Sequence, residues 1–434
     1  MKKIEKSNIL AQLTCAAFAL PGLVQTASAG RVEETYNADF QYGHYSESNK
    51  RMDIDIFEGA ISAPIGKSMT ANVGLVRDVI GGASPVYNIR DPATGKIRQV
   101  ISGASGASNY NSCGDSICES RDAISGGLTK FFDRGSLSGG GGFSREHDYM
   151  SKYFNTAGSL DFNKKLTTLN FGASVAFDEV TPTGIGASPG IQRNADCGDK
   201  CSKTSMQYLL GISQVINKDS LILSNITFGY HSGFLTDPYK QATFYLHTGI
   251  GFFDNTAITI NEKRPRERFE WAWLTQYVRH FEQFKHAALH ADYRFSTNDW
   301  GINAHTVEFS WHQPVAEGWQ VIPRFRYYSQ DKADFYQPVF DSTVTFNQIV
   351  NNAPASNGFN AFSSDYRLAG FGTISGGFKV SKEFTELKPL AQLKFQTGFE
   401  YYAHRGDFQL GGNGNNNFAN FGYYLLTASV NLKY

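Results

Sequence analysis

Charged side chains recur at alternate positions in several segments of the C-terminal half. Arg324 and Arg326 lie two residues apart, and Lys394 and Glu400 likewise fall on one face of their segment. Successive side chains of a strand point to opposite sides, so this spacing gathers each set of charges on one face. Rings of charged side chains set the selectivity of pores. The three cations could therefore form a positive wall that attracts anionic solutes.

A structural role for the same charges is the alternative. The three cations could pair with carboxylates on neighbouring strands, for which the candidates are Glu270, Asp292 and Glu400. Cross-strand pairs of opposite charge stabilise a sheet by about 0.2–1 kcal/mol each. Both signs are present, so the sequence leaves the net selectivity open.

A second polar face lies in the segment 284–296 and consists of His286, His290, Asp292 and Arg294. Imidazole and carboxylate groups are common metal ligands. Residues two apart on a strand face are about 6.5–7 Å apart along the backbone, so His290 and Asp292 could share a metal. Solvated residues of a water-filled lumen are the simpler interpretation. We predict no metal site and no cofactor.

A dense group of arginines precedes one of the predicted strands and contains Arg264, Arg266 and Arg268. With Asp237 and Lys240 these side chains could fold inward and shape the mouth of a pore. The alternative is an external rim that meets anionic lipid headgroups or water. The sequence does not choose between the two.

Motifs for catalysis are scarce. The chain contains no Gly-x-Ser-x-Gly nucleophile elbow and no phosphate-binding glycine loop. The run Gly139 to Gly142 lies within a predicted strand, where glycine permits curvature or close packing. We predict that the protein is not an enzyme. A rim-located enzyme is kept as an alternative, because a Ser-His-Asp set can converge from separate strands without a local motif.

These side chains must be positioned by strands. The alternation of apolar and polar residues, together with the positions of turn residues, predicts sixteen strands. Their spans are 34–44, 51–63, 68–80, 121–133, 135–146, 149–162, 164–178, 204–217, 219–232, 267–282, 284–296, 299–313, 317–330, 366–381, 386–403 and 421–434. The number is even, as in single-chain bacterial barrels.

The lengths of the connections alternate along the chain when the strands are numbered from the N-terminus. All even-to-odd connections are short, whereas the odd-to-even connections include every long one: 81–120, 179–203, 233–266, 331–365 and 404–420. Outer-membrane barrels have short periplasmic turns and long external loops in this alternation. A soluble sandwich has no reason to sort its loops in this way.

The last predicted strand alternates without interruption. Its apolar face contains Tyr424, Leu426, Val430, Leu432 and Tyr434. This face resembles the C-terminal assembly signal of outer-membrane barrels, so we expect it to contact outer-membrane lipid and to be recognised by the barrel-assembly machinery. Thr427, Ser429 and Asn431 then face the lumen, and the strand closes the barrel against 34–44.

The whole chain fits one architecture. No segment after the N-terminus is apolar enough for a transmembrane helix, and a spanning protein built of strands must close so that every backbone amide is paired. The formal net charge is +0, which gives no reason to expect a nucleic-acid partner. We predict an all-β transmembrane antiparallel barrel of about sixteen strands spanning 30–434.

The N-terminus has the pattern of a signal peptide, residues 1–29. A basic start is followed by the apolar stretch 9–24 and by the small residues Ala27-Ser28-Ala29. This predicts export and a mature chain that begins at Gly30. A lipoprotein anchored at Cys15 is the alternative, but the residues before it fit a lipobox poorly.

Four cysteines follow the signal segment as two close pairs. Cys113 lies near Cys118, and Cys197 lies near Cys201. An even number of cysteines in an exported chain indicates disulfides, with connectivity within or between the pairs left open. Zinc binding is the alternative, although neither segment contains a histidine.

Several short motifs together resemble the domain-of-unknown-function family DUF3570 over essentially the whole mature chain. They include Phe132-Asp133-Arg134-Gly135, Glu146-His147-Asp148-Tyr149, Asp237-Pro238-Tyr239-Lys240, Arg264-Pro265-Arg266-Glu267-Arg268, Trp300-Gly301-Ile302, and Arg326-Tyr327-Tyr328-Ser329-Gln330 with Ala333-Asp334-Phe335-Tyr336. The two cysteine-bearing segments are not part of the pattern.

The resemblance implies an outer-membrane protein of Gram-negative bacteria with undefined activity. It also hints at a role in envelope redox chemistry or metal supply through a periplasmic partner protein. From the residues we expect a pore or transporter for a small polar or charged solute. A closed barrel that serves as a surface scaffold or binds a partner is the main alternative.

Overall fold

The structure is a computed structural model that describes residues 35–48, 52–91, 94–103, 117–182, 196–247, 256–343, 359–385, 387, 389–412, 414 and 420–434. Within these residues no helix is both long and apolar enough to cross a bilayer.

Sixteen antiparallel strands form a closed barrel, as the sequence predicts. They are β1 (Asn37–Glu47), β2 (Met52–Ile65), β3 (Met69–Arg90), β5 (Ile117–Phe132), β6 (Gly135–Arg145), β7 (Tyr149–Phe162), β8 (Thr167–Val180), β9 (Cys201–Asn217), β10 (Ser220–Gly233), β13 (Glu267–Phe281), β14 (Ala287–Asn298), β15 (Asn303–Ala316), β16 (Trp319–Gln330), β18 (Phe371–Thr385), β19 (Gln392–Arg405) and β20 (Phe421–Lys433). Each strand pairs with its neighbour in the chain, and β20 pairs with β1 to close the ring.

Four further strands lie in connections that the sequence analysis treats as loops, and this is a correction. β4 (Ile97–Gly103) extends β3 as a hairpin. β11 (Gln241–His247), β12 (Thr256–Asn261) and β17 (Phe340–Thr343) form a separate three-stranded sheet. Phe244 and Phe340 stack at the centre of this sheet with ring centroids 4.8 Å apart. Their burial explains why these short segments adopt regular structure outside the barrel.

The connections follow the predicted parity. Every turn at one end is short, such as the ones between β2 and β3 and between β15 and β16. The opposite end carries all the long connections, including those after β3, β8, β10, β16 and β19. We refer to the two ends as periplasmic and external, following the usual orientation of such barrels.

The two faces of the barrel wall differ in character. Exposed large apolar side chains follow one parity along each strand, for example Phe325 on β16, Phe378 on β18 and Phe399 on β19. On β20, Tyr424 and Leu426 belong to this exposed face. The opposite face points to the lumen, where the Asn431 amide donates to Asp39 on β1. The predicted orientation of the closing strand is therefore confirmed.

The glycine run of β6 permits close packing inside the barrel. Gly142 pairs with Tyr153 of β7, and a Cβ atom at Gly142 would collide with the Tyr153 ring. A larger side chain would displace this ring, which the protein buries almost completely. Close packing, one of the two roles predicted for the run, is present at this position.

Candidate functional site

The strands β13 to β20 form one wall of the lumen, which we call the basic wall. At its centre Arg324 of β16 is bound by two carboxylates. Its Nε lies 2.7 Å from Glu308 Oε1, and its Nη1 lies 2.6 Å from Glu400 Oε2. Glu400 is two strands away, and the intervening position on β18 is Gly377. The missing side chain at Gly377 leaves the space that this second ion pair crosses.

Four other cations of the basic wall have no carboxylate partner among the described residues. Arg326 lies beside Arg324 on the lumen face, and the face also carries Arg294, Lys379 and Lys394. Among the described residues none of these four cations makes an ion pair, although Arg324 makes two. A buried charge without a partner is costly, so these side chains require water or an anion around them.

The predicted lumen residues therefore divide into two groups. Arg324 and Glu400 pair as the structural interpretation proposed, and Asp292 accepts a hydrogen bond of 2.9 Å from the Gln276 amide. Arg326, Arg294 and Lys394 lie on the same face without ion pairs in the described part of the chain, as the positive-wall interpretation requires. Their role in solute passage stays a prediction.

The histidine prediction needs a correction at one position. His286 does not lie on the strand with His290, because β14 begins at Ala287 and His286 belongs to the preceding turn with φ +63°. There its ring stacks on His280. His290 instead packs against His312 of β15, with ring centroids 4.3 Å apart. Within the described residues no group of three potential ligands forms a metal cluster.

The opposite wall, β1 to β10, is predominantly acidic on its lumen face. Its carboxylates are Asp39, Glu47, Glu58, Asp78, Asp161 and Asp178, against the cations Arg121 and Lys203. Asp78 pairs with Arg121, and Asp178 pairs with Lys203. Charge is thus separated across the lumen, with cations concentrated on the basic wall.

Three external connections meet over the mouth and form what we call the loop cap, comprising 85–91, 237–247, 256–264, 333–343 and 359–370. Arg90 binds Asp341 with both terminal nitrogens, at 2.8 and 2.6 Å. The Asn88 amide donates to the backbone oxygens of Pro338 and Ser364. Lys240 donates to the backbone oxygen of Pro85. These connections leave the barrel on different sides, so their contacts lie across the mouth.

Part of the loop cap also enters the lumen. The Tyr366 ring packs edge-on against His404 and Phe421, which belong to the lumen faces of β19 and β20. Gln330, on the lumen face of β16, donates to the backbone oxygens of Arg367 and Ala369. The loop cap therefore narrows the external entrance.

A buried ion network holds the loop cap together. Arg264 lies 2.7 Å from Glu262 and 2.8 Å from Asp365, and both carboxylate side chains are fully buried. Arg367 binds Asp365 and also contacts Asp237 at 2.8 Å. The network joins the connection after β10 to the connection after β16.

The network shifts the ionisation of its members. Burial alone would raise the pKa of Asp365, but Arg367, Lys240 and Arg264 lower it well below its ordinary value. The pKa of Asp237 is lowered in the same way, against the effect of burial. Burial dominates at Glu262 and raises its pKa, and burial also lowers the pKa of Lys240.

The predicted pore-mouth residues are separated by the structure. Lys240 is buried and Arg264 nearly so, whereas Asp237 is partly exposed beside them in the loop cap. Arg268 lies on the lumen face, where it pairs with Glu270 and covers the Trp300 ring. Arg266 is exposed. Their effect on passage is untested.

One of the two predicted cysteine pairs is present as a disulfide. Cys197 and Cys201 are bonded, with Cα atoms 5.0 Å apart. This places the bond within one external connection. Cys113 lies outside the described residues, as does the side chain of Cys118, so the other pair stays a prediction.

Sequence reasoning missed several functional residues. Glu308 lies on an alternating polar face of β15 and could have been found from that pattern. Asp365 and Arg367 gave no such signal, because their partners are distant in the chain. Asp365 and Arg264, for instance, are 101 residues apart.

The fold and the charged lumen define a barrel of the outer-membrane type. The chain belongs to the family described as "Protein of unknown function (DUF3570)", whose model matches residues 10–425. A comparison with curated proteins gave no significant match.

Solved structures with a similar architecture include a bacterial polysaccharide outer membrane secretin, with 6% identity, TM-score 0.46, and coverage of 93% of this chain and 99% of the other. The outer membrane protein opdK from Pseudomonas aeruginosa is 8% identical, with TM-score 0.40 and coverage of 92% and 99%. OprB of Pseudomonas putida is 10% identical, with TM-score 0.39 and coverage of 93% and 94%.

Proposed function

We propose that the protein is an outer-membrane channel for small polar or charged solutes, with an external entrance narrowed by the loop cap. The observation that carries the proposal is the set of cations on the basic wall that lack ion pairs in the described residues, namely Arg294, Arg326, Lys379 and Lys394. Side chains of this kind need a hydrated path or a passing anion.

The size of the barrel supports this proposal. Sixteen strands enclose more space than wall side chains alone can fill, so the centre holds water unless a domain or loops occupy it. The loop cap occupies the external end. The cations Arg324, Lys379 and Lys394 lie on strands β16, β18 and β19, away from the cap contacts described above. Water and ions would therefore reach the basic wall from the periplasmic side.

A second candidate function is the binding of a partner at the external surface. β12 pairs with β11 on one side and with no second strand among the described residues. An exposed strand edge can accept a strand from another protein. Pull-down with the intact barrel, compared with a Thr259→Pro variant, would test this role, since proline removes a backbone donor on the exposed strand.

Planar-bilayer recording of the purified barrel tests the channel. We expect small conductance steps for the wild type. Arg264→Ala should enlarge the conductance steps, because it breaks the ion network of the loop cap. Arg266→Ala is the matched control, since it changes an exposed arginine of the same connection and should leave the steps unaltered. Absence of conductance in all three proteins would overturn the proposal.

A further inference from the structure

A row of tyrosines faces the lumen beside the basic wall. The rings of Tyr402 on β19 and Tyr423 on β20 stack with centroids 4.3 Å apart and an interplanar angle of 20°. Tyr45 on β1 continues the row at 4.5 Å from Tyr423. The three residues share the lumen parity of their strands. They provide an aromatic surface on the lumen face, in which Tyr402 and Tyr423 are stacked and Tyr45 is tilted.

Arg326 lies at the same level as this row. The strand register runs from Arg326 through Ser375 on β18 to Tyr402 on β19. Ser375 is small and only 3% exposed, so the longer side chains on either side close over it. Tyr402 is in turn opposite Tyr423 on β20, so the register row contains the arginine and both stacked rings. A guanidinium and a stacked pair of phenols therefore converge at one place.

A second arginine supports this position. The register runs from Arg294 on β14 through Thr306 on β15 to Tyr328, which lies two residues after Arg326 on β16. Neither arginine has an ion pair among the described residues. The carboxylates nearby have other partners: Glu308 and Glu400 bind Arg324. Glu47, opposite Tyr423 in the register, accepts a hydrogen bond from the Tyr45 hydroxyl. The two guanidinium groups are thus available to an anion.

We propose that Arg326, Arg294, Tyr402 and Tyr423 form a binding site for a small aromatic carboxylate, a proposal that rests on the channel function above. A guanidinium binds a carboxylate through two parallel hydrogen bonds. An aromatic ring of the solute packs against the tyrosine rings in an offset or edge-on arrangement. An aliphatic acid of the same charge can bind the arginines but cannot stack on the tyrosines. We therefore expect the site to bind aromatic acids more tightly than aliphatic ones.

Titration calorimetry on the detergent-solubilised full chain tests the site with benzoate as the probe. Cyclohexanecarboxylate is the matched ligand, because it has the same charge and ring size without a planar ring. We expect benzoate to bind about tenfold more tightly than cyclohexanecarboxylate. The two ligands carry the same charge, so the difference in affinity comes from the contact between the benzoate ring and the tyrosine rings. Arg326→Gln should weaken both ligands, whereas Tyr402→Leu should weaken benzoate alone. Arg279→Gln, which changes an outward-facing arginine of β13, should weaken neither.

Bilayer conductance, measured on the same proteins, separates the two proposals. Equal affinity for benzoate and cyclohexanecarboxylate, or benzoate binding that survives Arg326→Gln, overturns the aromatic-acid site even if the barrel conducts chloride. Ring-selective binding that depends on Arg326, in a barrel that passes no current, supports the site and overturns the channel. A Tyr402→Phe variant keeps the ring and should retain the preference for benzoate, which excludes misfolding as the cause of the Tyr402→Leu effect.

Discussion

The loop cap and the basic wall both contain arginines near carboxylates, but they use them differently. In the loop cap Arg264 and Arg367 bind Glu262, Asp237 and Asp365, and the side chains of Glu262 and Asp365 are fully buried. On the basic wall Arg324 binds two carboxylates and Arg268 binds Glu270, whereas cations such as Arg326 make no ion pair in the described residues. The comparison distinguishes charges that hold the structure from charges that are open to a solute.

The free energy of burying a charge explains this distinction. A buried ion pair is weak evidence for stability, but removal of one partner leaves an uncompensated charge and is strongly destabilising. Mutations in the loop cap should therefore act through structure. Mutations of the unpaired cations should act through selectivity, with little effect on folding.

The largest effect is expected for Arg264→Ala. It leaves Glu262 and Asp365 without their shared cation, which should cost about 3–5 kcal/mol of local stability. Amide hydrogen exchange should accelerate in β11, the central strand of the three-stranded sheet outside the barrel. Exchange in β16, a strand of the barrel, should not change. Unchanged protection of β11 would remove the structural role assigned to the network.

A comparable effect within the barrel is expected for Arg324→Gln. Glu308 and Glu400 would then lose the cation that binds both of them, and breaking such a buried pair costs about 3–5 kcal/mol. The urea midpoint of unfolding should fall. Arg326→Gln is the matched control and should leave the midpoint near that of the wild type; an equal fall in both variants would erase the difference between paired and unpaired cations.

Acid should loosen the loop cap. Asp365 and Asp237 have lowered pKa values in the folded state, so their contribution is complete above the ordinary carboxyl pKa of about 4 and is lost as the pH falls through the folded values. The raised pKa of Glu262 acts in the opposite direction, but for one group only. Conductance should therefore stay constant from neutral pH to about 5 and begin to rise only below about pH 4. Asp365→Asn should reduce this rise, and a pH response identical to that of the wild type would argue against the assignment.

The smallest effect is expected from the disulfide. Cys197 and Cys201 close a short ring in the connection after β8, outside both charge clusters. In the chain-entropy model such a ring contributes about 2 kcal/mol. Cys197→Ser with Cys201→Ser should leave conductance and selectivity unchanged. Altered selectivity would show that this connection takes part in the pore.

The sequence predicts the barrel well because alternation is a local property. Each strand shows its own period of two, and the short and long connections alternate in the chain itself, so all sixteen strands could be placed. The closing strand is likewise visible from Tyr424 to Tyr434.

The loop cap could not be predicted, because its contacts are non-local. β11 pairs in parallel with β17, which lies in a different connection, and Asn88 binds Pro338 across 250 residues of chain. The division of the lumen cations is non-local too. The register across Gly377 lets Glu400 reach Arg324. Glu308 lies opposite Arg326 in the register but binds Arg324 instead.

The most direct test of the central claim is the reversal potential of the open channel in a KCl gradient, measured for the wild type and for Arg326→Glu. If the unpaired cations of the basic wall face the solute path, the charge reversal shifts the potential toward cation selectivity while the barrel stays folded. An unchanged reversal potential in a folded, conducting Arg326→Glu barrel would contradict the account.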